Sequence, residues 1–334
     1  MKAIVYTSYG PPEVLSIQEI EKPIPGPTQV LIRVEAATVN RTDCALLLAK
    51  PFIMRFFSGF FNPNKTTPGT DFAGTVHAIG TQVTRFEVGD RVLGFDDSGL
   101  CSHAEFLTLS EEKAMVKIPE GIRFVQAAAS AEGVHYAHNF INKIPLKKGQ
   151  KVLVNGATGA IGSAVVQLLK HAGANVIAVC DTSNIDRVKG LGADVVLDYT
   201  QQDFTQIDIG TYDFVLDAVG KSSFRKCKQL LKVGGAYISS ELGQGAENFF
   251  YALFTPFFSS KKVVFPIPSN IQASLDLASK LLATGELKPL IDRIYQPEEI
   301  AKAYTYVLSG QKIGNVLIDW NNNSMIADST IDVG

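Results

Sequence analysis

Cysteine, tryptophan and histidine are scarce in this chain, and neither sign of charge is in excess. The four cysteines (Cys44, Cys101, Cys180, Cys227) lie far apart among 334 residues, with no C-x-x-C pair. That spacing excludes a disulfide framework and a thiolate metal cluster and points to free thiols in a reducing compartment. Lys and Arg number 31 against 33 acids and are scattered, which leaves no basic stripe for nucleic acid. No apolar stretch is long enough to span a bilayer. Residues Met1 to Tyr6 read as a strand rather than a leader, because the apolar run is too short. Repeats and low-complexity tracts are missing, and the expectation is a cytoplasmic protein. Apolar residues are abundant at 46 % of the chain, enough at this length for two domains with sizeable cores.

The segment from Lys151 to Gly162 carries the clearest chemistry. Val152, Leu153 and Val154 read as a buried strand of a parallel sheet. Gly156, Ala157, Thr158, Gly159, Ala160, Ile161 and Gly162 form a glycine-rich turn, and Ser163 to Ala172 continue with helical spacing. Strand, glycine turn and helix together build a phosphate site, since glycine admits close backbone approach and the free N–H groups of a helix start attract an anion. In the G-x-G-x-x-G dinucleotide fingerprint, Ala157, Gly159 and Gly162 hold the three glycine places, so the first is replaced. A second apolar strand ends at Cys180, and Asp181 follows nineteen residues after Gly162, about where the fingerprint places an acid for the ribose hydroxyls. The plainer alternative is a βαβ unit without cofactor.

Along its length the chain changes character. Up to about 124, short alternating runs (Ile4 to Tyr6, Val30 to Glu35, Gly74 to Ile79, Arg91 to Phe95, Glu105 to Thr108) separated by Gly and Pro clusters predict an irregular, mostly β domain. From 125 to 266 six candidate strands alternate with helices, the pattern of a doubly wound parallel sheet with its ligand at the strands' carboxyl ends. Ile271 to Ala283 are expected to be helical. The tail, with Lys288-Pro289, Ile294-Tyr295 and Val316 to Trp320, is expected to return to short strands and complete the first domain. The domains are thus 1–124 with 267–334, and 125–266.

Ordered pieces then carry a resemblance over nearly the whole chain. They are Pro11-Pro12-Glu13-Val14-Leu15, Val39-Asn40-Arg41-Thr42-Asp43, Pro68-Gly69-Thr70-Asp71-Phe72-Ala73-Gly74, Val88-Gly89-Asp90-Arg91-Val92, Gly190-Leu191-Gly192-Ala193-Asp194 and Gly314-Asn315-Val316. The sequence resembles the medium-chain dehydrogenase/reductase superfamily, in its zinc-free quinone oxidoreductase branch. The resemblance implies a discontinuous, mostly β GroES-like catalytic domain beside a Rossmann domain of the α/β class. It also implies NAD(P)H-dependent hydride transfer to a quinone or an α,β-unsaturated carbonyl, and a homodimer. Where the family's zinc alcohol dehydrogenases carry metal ligands, this sequence has Asn40, Thr70-Asp71 and Ala131, and the four-cysteine lobe is absent. Zinc needs three or four sulfur, imidazole or carboxylate ligands, so no metal is expected. Asn40, Thr70 and Asp71 become the candidate polar groups near the nicotinamide; for Asn40 a turn-capping role stands equally open.

Several features keep two readings. Glu132, His135 and His138 have a metal-capable spacing, but a partly exposed helix face is favoured, and Tyr136 reads as a core or interface residue rather than a proton donor. Phe52, Phe56, Phe57, Phe60 and Phe61, with Met54, line either a pocket for a bulky apolar acceptor or a packing surface. The run Phe249 to Phe258, followed by Lys261-Lys262, is read first as pocket wall or subunit interface, with contact to a membrane surface as the alternative. For the cofactor, Asp181 favours NAD, whereas Thr182, Ser183 and Arg187 leave room for NADP if Asp181 turns away. Asp217, Val219, Glu241 and Leu242 are expected to flank the nicotinamide. A zinc-free alcohol or aldehyde dehydrogenase, and a nucleotide-binding regulatory protein with little turnover, remain the rival functions.

Overall fold

The computed structural model describes residues 1–50, 52, 55–239, 241 and 243–321. Met54 and Leu242 lie outside the described residues. The chain divides into two compact units. One comprises Met1–Glu132, Ile271–Thr284 and the chain from Ile291 on; the other comprises Gly133–Asn270 with Gly285–Leu290.

The first unit opens with β1 (Lys2–Val5) and β2 (Ser16–Glu19), an antiparallel pair. The eleven residues of β3 (Gln29–Val39) follow, then α1 (Arg41–Leu48), α2 (Arg55–Ser58) and β4 (Asp71–Ile79). The strands β5 (Arg91–Phe95), β6 (Phe106–Ser110) and β7 (Met115–Lys117) precede α3 (Phe124–Asn142). The helix α3 begins in this unit and ends in the other.

In the second unit the chain alternates: β8 (Lys151–Asn155), α4 (Ala160–His171), β9 (Asn175–Cys180), α5 (Ile185–Gly190), β10 (Val195–Asp198) and β11 (Tyr212–Asp217). It continues through α6 (Phe224–Cys227), β12 (Leu231–Ser239), α7 (Glu247–Phe258) and β13 (Lys262–Val264). The six strands pair in parallel in the order β10-β9-β8-β11-β12-β13. Strand order reverses between β8 and β11, and such a switch point opens a crevice at the carboxyl ends. Both faces of the sheet are covered, so its strands are apolar throughout: Leu153, Val179, Val215, Tyr237 and Val263 share one core with Phe224 and Leu230.

The last stretch supplies α8 (Ile271–Ala283), β14 (Ile291–Tyr295), α9 (Ile300–Leu308) and β15 (Asn315–Asp319). The mixed sheet of the first unit runs β14-β15-β3-β4-β5-β7, with β6 also on β3. Its core gathers Val30, Ile32, Val34, Phe72, Val92 and Met115. Lys288-Pro289, expected as strand, is irregular and belongs to the second unit. There the Gln167 carboxamide stands in for a strand partner: Lys288 N donates to its Oε1 at 2.7 Å and its Nε2 donates to Lys288 O at 3.2 Å. A proline removes a ladder donor, which explains why no strand forms.

Candidate active site

Within the second unit, β8 ends in Asn155 and the chain turns at Gly156 with φ +83°, a left-handed conformation that glycine adopts without strain. A Cβ on Gly156 would stand 2.7 Å from Val219 Cβ, and one on Gly162 would stand 2.0 Å from the Gly156 carbonyl oxygen. Helix α4 therefore packs directly on the turn. Gly159 is its N-cap, extended at φ −73° and ψ 167°, and Ser163 N donates to Gly159 O at 2.9 Å. The N–H groups of Ala160, Ile161 and Gly162, in the first turn, have no intrahelical acceptor and carry the positive end of the helix dipole. Thr158, Gly159 and Ile161 are half-buried at the surface of the turn. Ala157, on the fingerprint's first position, is fully buried with its N–H on Val179 O. Gly156 rather than Ala157 makes the tight turn.

Asp181 follows β9 and caps the short 3-10 turn Thr182–Asn184. Its carboxylate accepts from Ser183 N at 3.0 Å, from the Ser183 hydroxyl, and from Asn184 Nδ2 at 2.9 Å to each oxygen. Although burial opposes it, these bonds hold the Asp181 carboxyl below its ordinary range. Thr182 Oγ1 donates to Asp198 Oδ2 at 2.5 Å. Burial, reinforced by Asp181 and Asp198, pushes the Cys180 thiol up to about 12. Burial, with the same two carboxylates, also raises Tyr199. The carboxyl ends of β9 and β10 thus carry a negative field. Arg187 is the counterweight, donating to Asn184 Oδ1 at 3.2 Å.

At the end of β11, Asp217 is fully buried and serves as the hub of a loop. Oδ1 accepts from Asn155 Nδ2 at 3.0 Å, Val219 N at 3.2 Å and Gly220 N at 3.0 Å. Oδ2 accepts from Ser222 N at 3.2 Å and the Tyr237 hydroxyl at 2.8 Å. Asp217 thus holds Val219 against Gly156 and Gly220 against Glu241, whose Cγ lies 2.5 Å from where a Gly220 Cβ would be. The structure brings Gly156, Gly159, Gly162, Val219 and Glu241 together at the switch point. The roles of Asn155 and Tyr237 were not foreseen; an apolar strand ending in a polar residue was the only available signal.

In the first unit, Asn40, Thr70 and Asp71 form one buried set. Asn40 is the N-cap of α1, and its Oδ1 accepts from Asp43 N at 2.9 Å while Asp43 Oδ2 accepts from Asn40 N at 3.0 Å. Its Nδ2 donates to Thr70 Oγ1 at 2.8 Å and Thr38 Oγ1 at 3.3 Å. Asp71 accepts from Thr38 N at 2.7 Å and Thr38 Oγ1 at 2.5 Å. Burial lifts the Asp71 carboxyl to about 6 against these two bonds. Burial also raises Asp43 well above the usual carboxylate range. Beside them His103 bridges Thr38 O, 2.9 Å from Nε2, and the Tyr304 hydroxyl, 3.3 Å from Nδ1. Its burial holds it neutral, down to about 4. The pairing spans 201 positions, so local pattern gave no hint of it.

Of the proposed Glu132, His135 and His138 group, the expectation of a partly exposed face fails for His135. It is buried at 1 % exposure, with Asn139 Nδ2 donating to its carbonyl at 2.8 Å, whereas His138 is half-buried against Asn142. The reason is that α3 is apolar or small nearly all round and packs on more than one side. Glu132 belongs to the first unit and accepts from Thr42 Oγ1 at 3.1 Å. Burial raises its carboxyl to about 7, opposed by the Lys312 ammonium and reinforced by Asp71 and Asp97. Lys312, lowered in turn by burial, donates to Gly314 O at 2.7 Å. A carboxyl whose folded pKa exceeds its unfolded value contributes stability at acid pH and loses it as pH rises. As pH rises from acid toward neutral the wild type is therefore expected to lose stability relative to Glu132→Gln. Urea midpoints across that range check this, and parallel profiles would refute it.

Phe52, Phe56, Phe60 and Phe61 meet edge to face with ring centroids 5.0 to 6.3 Å apart, and all four are exposed. They form a surface cluster on the first unit rather than part of its core.

Among known families, the alcohol dehydrogenase GroES-like domain matches residues 26–146 and the zinc-binding dehydrogenase domain matches 191–318. A third match, to glutamate/leucine/phenylalanine/valine dehydrogenase, overlaps both at 121–233. The chain is 30 % identical to a 2-methylene-furan-3-one reductase of Solanum lycopersicum over 329 residues, covering 95 % of this chain and 79 % of that protein. It is 29 % identical to the chloroplastic NADPH-dependent alkenal/one oxidoreductase of Arabidopsis thaliana, with the same coverages. The quinone oxidoreductase of Coxiella burnetii superposes with a TM-score of 0.84 at 26 % identity, over 96 % of this chain and 99 % of that one. The chain belongs to the medium-chain dehydrogenase/reductase superfamily, a group of pyridine-nucleotide-dependent oxidoreductases. Within it, the chain is similar to the quinone oxidoreductase-like and enoyl reductase members.

Zinc is implied by one family name. The polar atoms of Asn40, Thr70 and Asp71, the residues expected at the ligand positions, are engaged with Thr38, Asp43 and one another. Among the described residues no group of three or more His, Cys, Asp or Glu side chains is placed to hold a metal ion. These residues do not fit a catalytic zinc. The glycine turn does fit a dinucleotide, because the space a Cβ would take at Gly159 is open: its nearest neighbour is the Gly156 oxygen at 3.6 Å.

Proposed function

We propose that the protein transfers hydride from NADH to a quinone or an α,β-unsaturated carbonyl without zinc. The observation that carries this reading is the glycine turn of β8 and α4, set at the switch point of the sheet beside Val219 and Glu241. Bound reduced nicotinamide supplies the hydride. The N–H groups of Ala160, Ile161 and Gly162 hold the pyrophosphate, while Val219, Gly220 and Glu241 flank the nicotinamide. Asn40, Thr70 and Asp71 act as a positioning set that fixes the start of α1 and the loop before β4. A quinone takes one hydride and one solvent proton to give the hydroquinone, and an enone takes the same pair to give the saturated carbonyl. The protein's share is to bind, align and exclude water.

Preference for NADH over NADPH is supported by the field of Asp181 and Asp198. A 2′-phosphate dianion there would meet two carboxylates, one of them held ionised by Ser183 and Asn184. Chelator-treated protein is expected to oxidise NADH with quinones and enones more efficiently than NADPH. Asp181→Ser is expected to move the ratio of kcat/KM values toward NADPH by about tenfold or more. A wild type that favours NADPH refutes the cofactor assignment. Tight nucleotide binding without oxidation on any acceptor refutes the activity.

A further inference from the structure

Helix α7 is built inside out. Its inward side chains are Asn248, Tyr251, Ala252 and Thr255, three of them polar. Asn248 Nδ2 donates to Glu241 O at 2.8 Å, Thr255 Oγ1 donates to Tyr251 O at 2.7 Å and accepts from Val263 N at 2.9 Å, and Tyr251 OH accepts from Arg225 Nε at 2.7 Å. Its outward side chains are Phe249, Phe250, Leu253, Phe254, Phe257 and Phe258, which are 51 to 84 % exposed. Their spacing of one and then three residues, repeated over two and a half turns, gathers them on one stripe. A surface helix of a water-soluble protein faces its apolar stripe to the core. A contiguous aromatic stripe turned outward marks a surface that something else covers.

Charge indicates what covers it. From Lys221 to Lys262 the chain carries seven Lys and Arg against two acids, Glu241 and Glu247, although the whole chain has a net charge of −2. At the start of α7 Arg225 pairs with Glu247 at 3.9 Å, and just past its end stand Lys261 and Lys262, with the Lys261 ammonium donating to the Lys228 carbonyl at 2.8 Å. A second copy meeting this face about a two-fold axis would bring the basic flanks onto themselves, and like charges across an interface are costly. An anionic lipid surface takes both features, the rings at the acyl boundary and the ammonium groups among the phosphates. Twelve residues span only about 18 Å, and no helix among the described residues is long and apolar enough to cross a membrane. The helix suits lying in the interface.

We propose that α7 docks the protein on anionic phospholipid surfaces, with its phenylalanines inserted and Arg225, Lys228, Lys261 and Lys262 at the headgroups. Co-sedimentation of the full chain with vesicles of phosphatidylcholine, with and without phosphatidylserine, tests this. Binding is expected only with phosphatidylserine and is expected to weaken with salt. The doubles Phe257→Ser/Phe258→Ser and Lys261→Gln/Lys262→Gln are each expected to lower the partition coefficient about tenfold or more. Oxidation of NADH with a water-soluble quinone should stay unchanged in both. The lysine pair keeps the test decisive should the phenylalanine pair fold poorly. Failure to bind either vesicle, binding indifferent to both doubles, or self-association that the phenylalanine double abolishes would each overturn the proposal. None of these outcomes bears on the oxidoreductase reading, which the soluble assay reads separately.

Discussion

Gly162→Val is expected to weaken dinucleotide binding by about a hundredfold or more, roughly 3 kcal/mol. A Cβ at this position would lie 2.0 Å from the Gly156 carbonyl oxygen and 2.8 Å from its carbon, closer than any real contact. The atoms in the way are backbone and cannot rotate aside, so α4 must lift off the turn. Lifting it displaces the N–H groups of Ala160 and Ile161, which would hold the pyrophosphate. The valine methyls enlarge the clash and do not create a new one. Fluorescence titration with NADH measures the affinity, and the urea midpoint reports how much of the loss is unfolding. Binding within threefold of the wild type would show that the turn does not hold the cofactor.

Asp217→Ala is expected to cost about 2 to 4 kcal/mol of folding stability, because it leaves two buried side-chain donors and three backbone N–H groups without their acceptor. Three backbone N–H groups, at Val219, Gly220 and Ser222, lose their acceptor together with Asn155 and Tyr237. Asn155 and Tyr237 are buried, Val219 and Ser222 half-buried and Gly220 exposed, so the cost falls chiefly on the two buried side chains, where an unmade hydrogen bond costs more than a made one contributes. Tyr237→Phe removes one donor and leaves the carboxylate four, so about 1 kcal/mol is expected there. The double variant separates the two contributions, because with Asp217 gone the hydroxyl has lost the carboxylate it donates to. Urea denaturation of the four proteins checks the cycle. Equal costs for the two single changes would mean the loop does not depend on this carboxylate.

Patterns carried within a dozen residues were legible in the sequence. Arg91 to Phe95 and Ile271 to Ala283 fold as periodicity predicts, and the strand, glycine turn and helix around Gly156 appear with Gly159 at the cap. The two-domain α/β architecture follows from the same alternation. What escaped notice depends on partners far away in the chain. Asp71 is tied to Thr38, 33 positions back, and Asp217 to Tyr237, 20 positions on. Asn40 reads as chemistry or as a cap; its Oδ1 caps α1, while its Nδ2 reaches Thr70 and Thr38. Burial of His135 on α3 needed neighbours on several sides that helical spacing cannot reveal. Lys288-Pro289 looked like a strand but is held by a single glutamine. The aromatic run at 249–258 was visible as composition. Its inversion was not, because Asn248 and Thr255 had to be known to point inward.

The grip of Gln167 on Lys288 matters for anyone who cuts the chain. The nucleotide-binding unit is not a continuous cassette: it is threaded once through Gly133–Asn270 and then visited again by Gly285–Leu290, after a helix that belongs elsewhere. A fragment that stops at Asn270 leaves a carboxamide inside α4 with two empty hydrogen-bonding positions, on the same helix whose first turn would receive the cofactor. Grafting or domain exchange with this chain therefore has to carry the six-residue return along, or supply a substitute for the backbone that Gln167 expects.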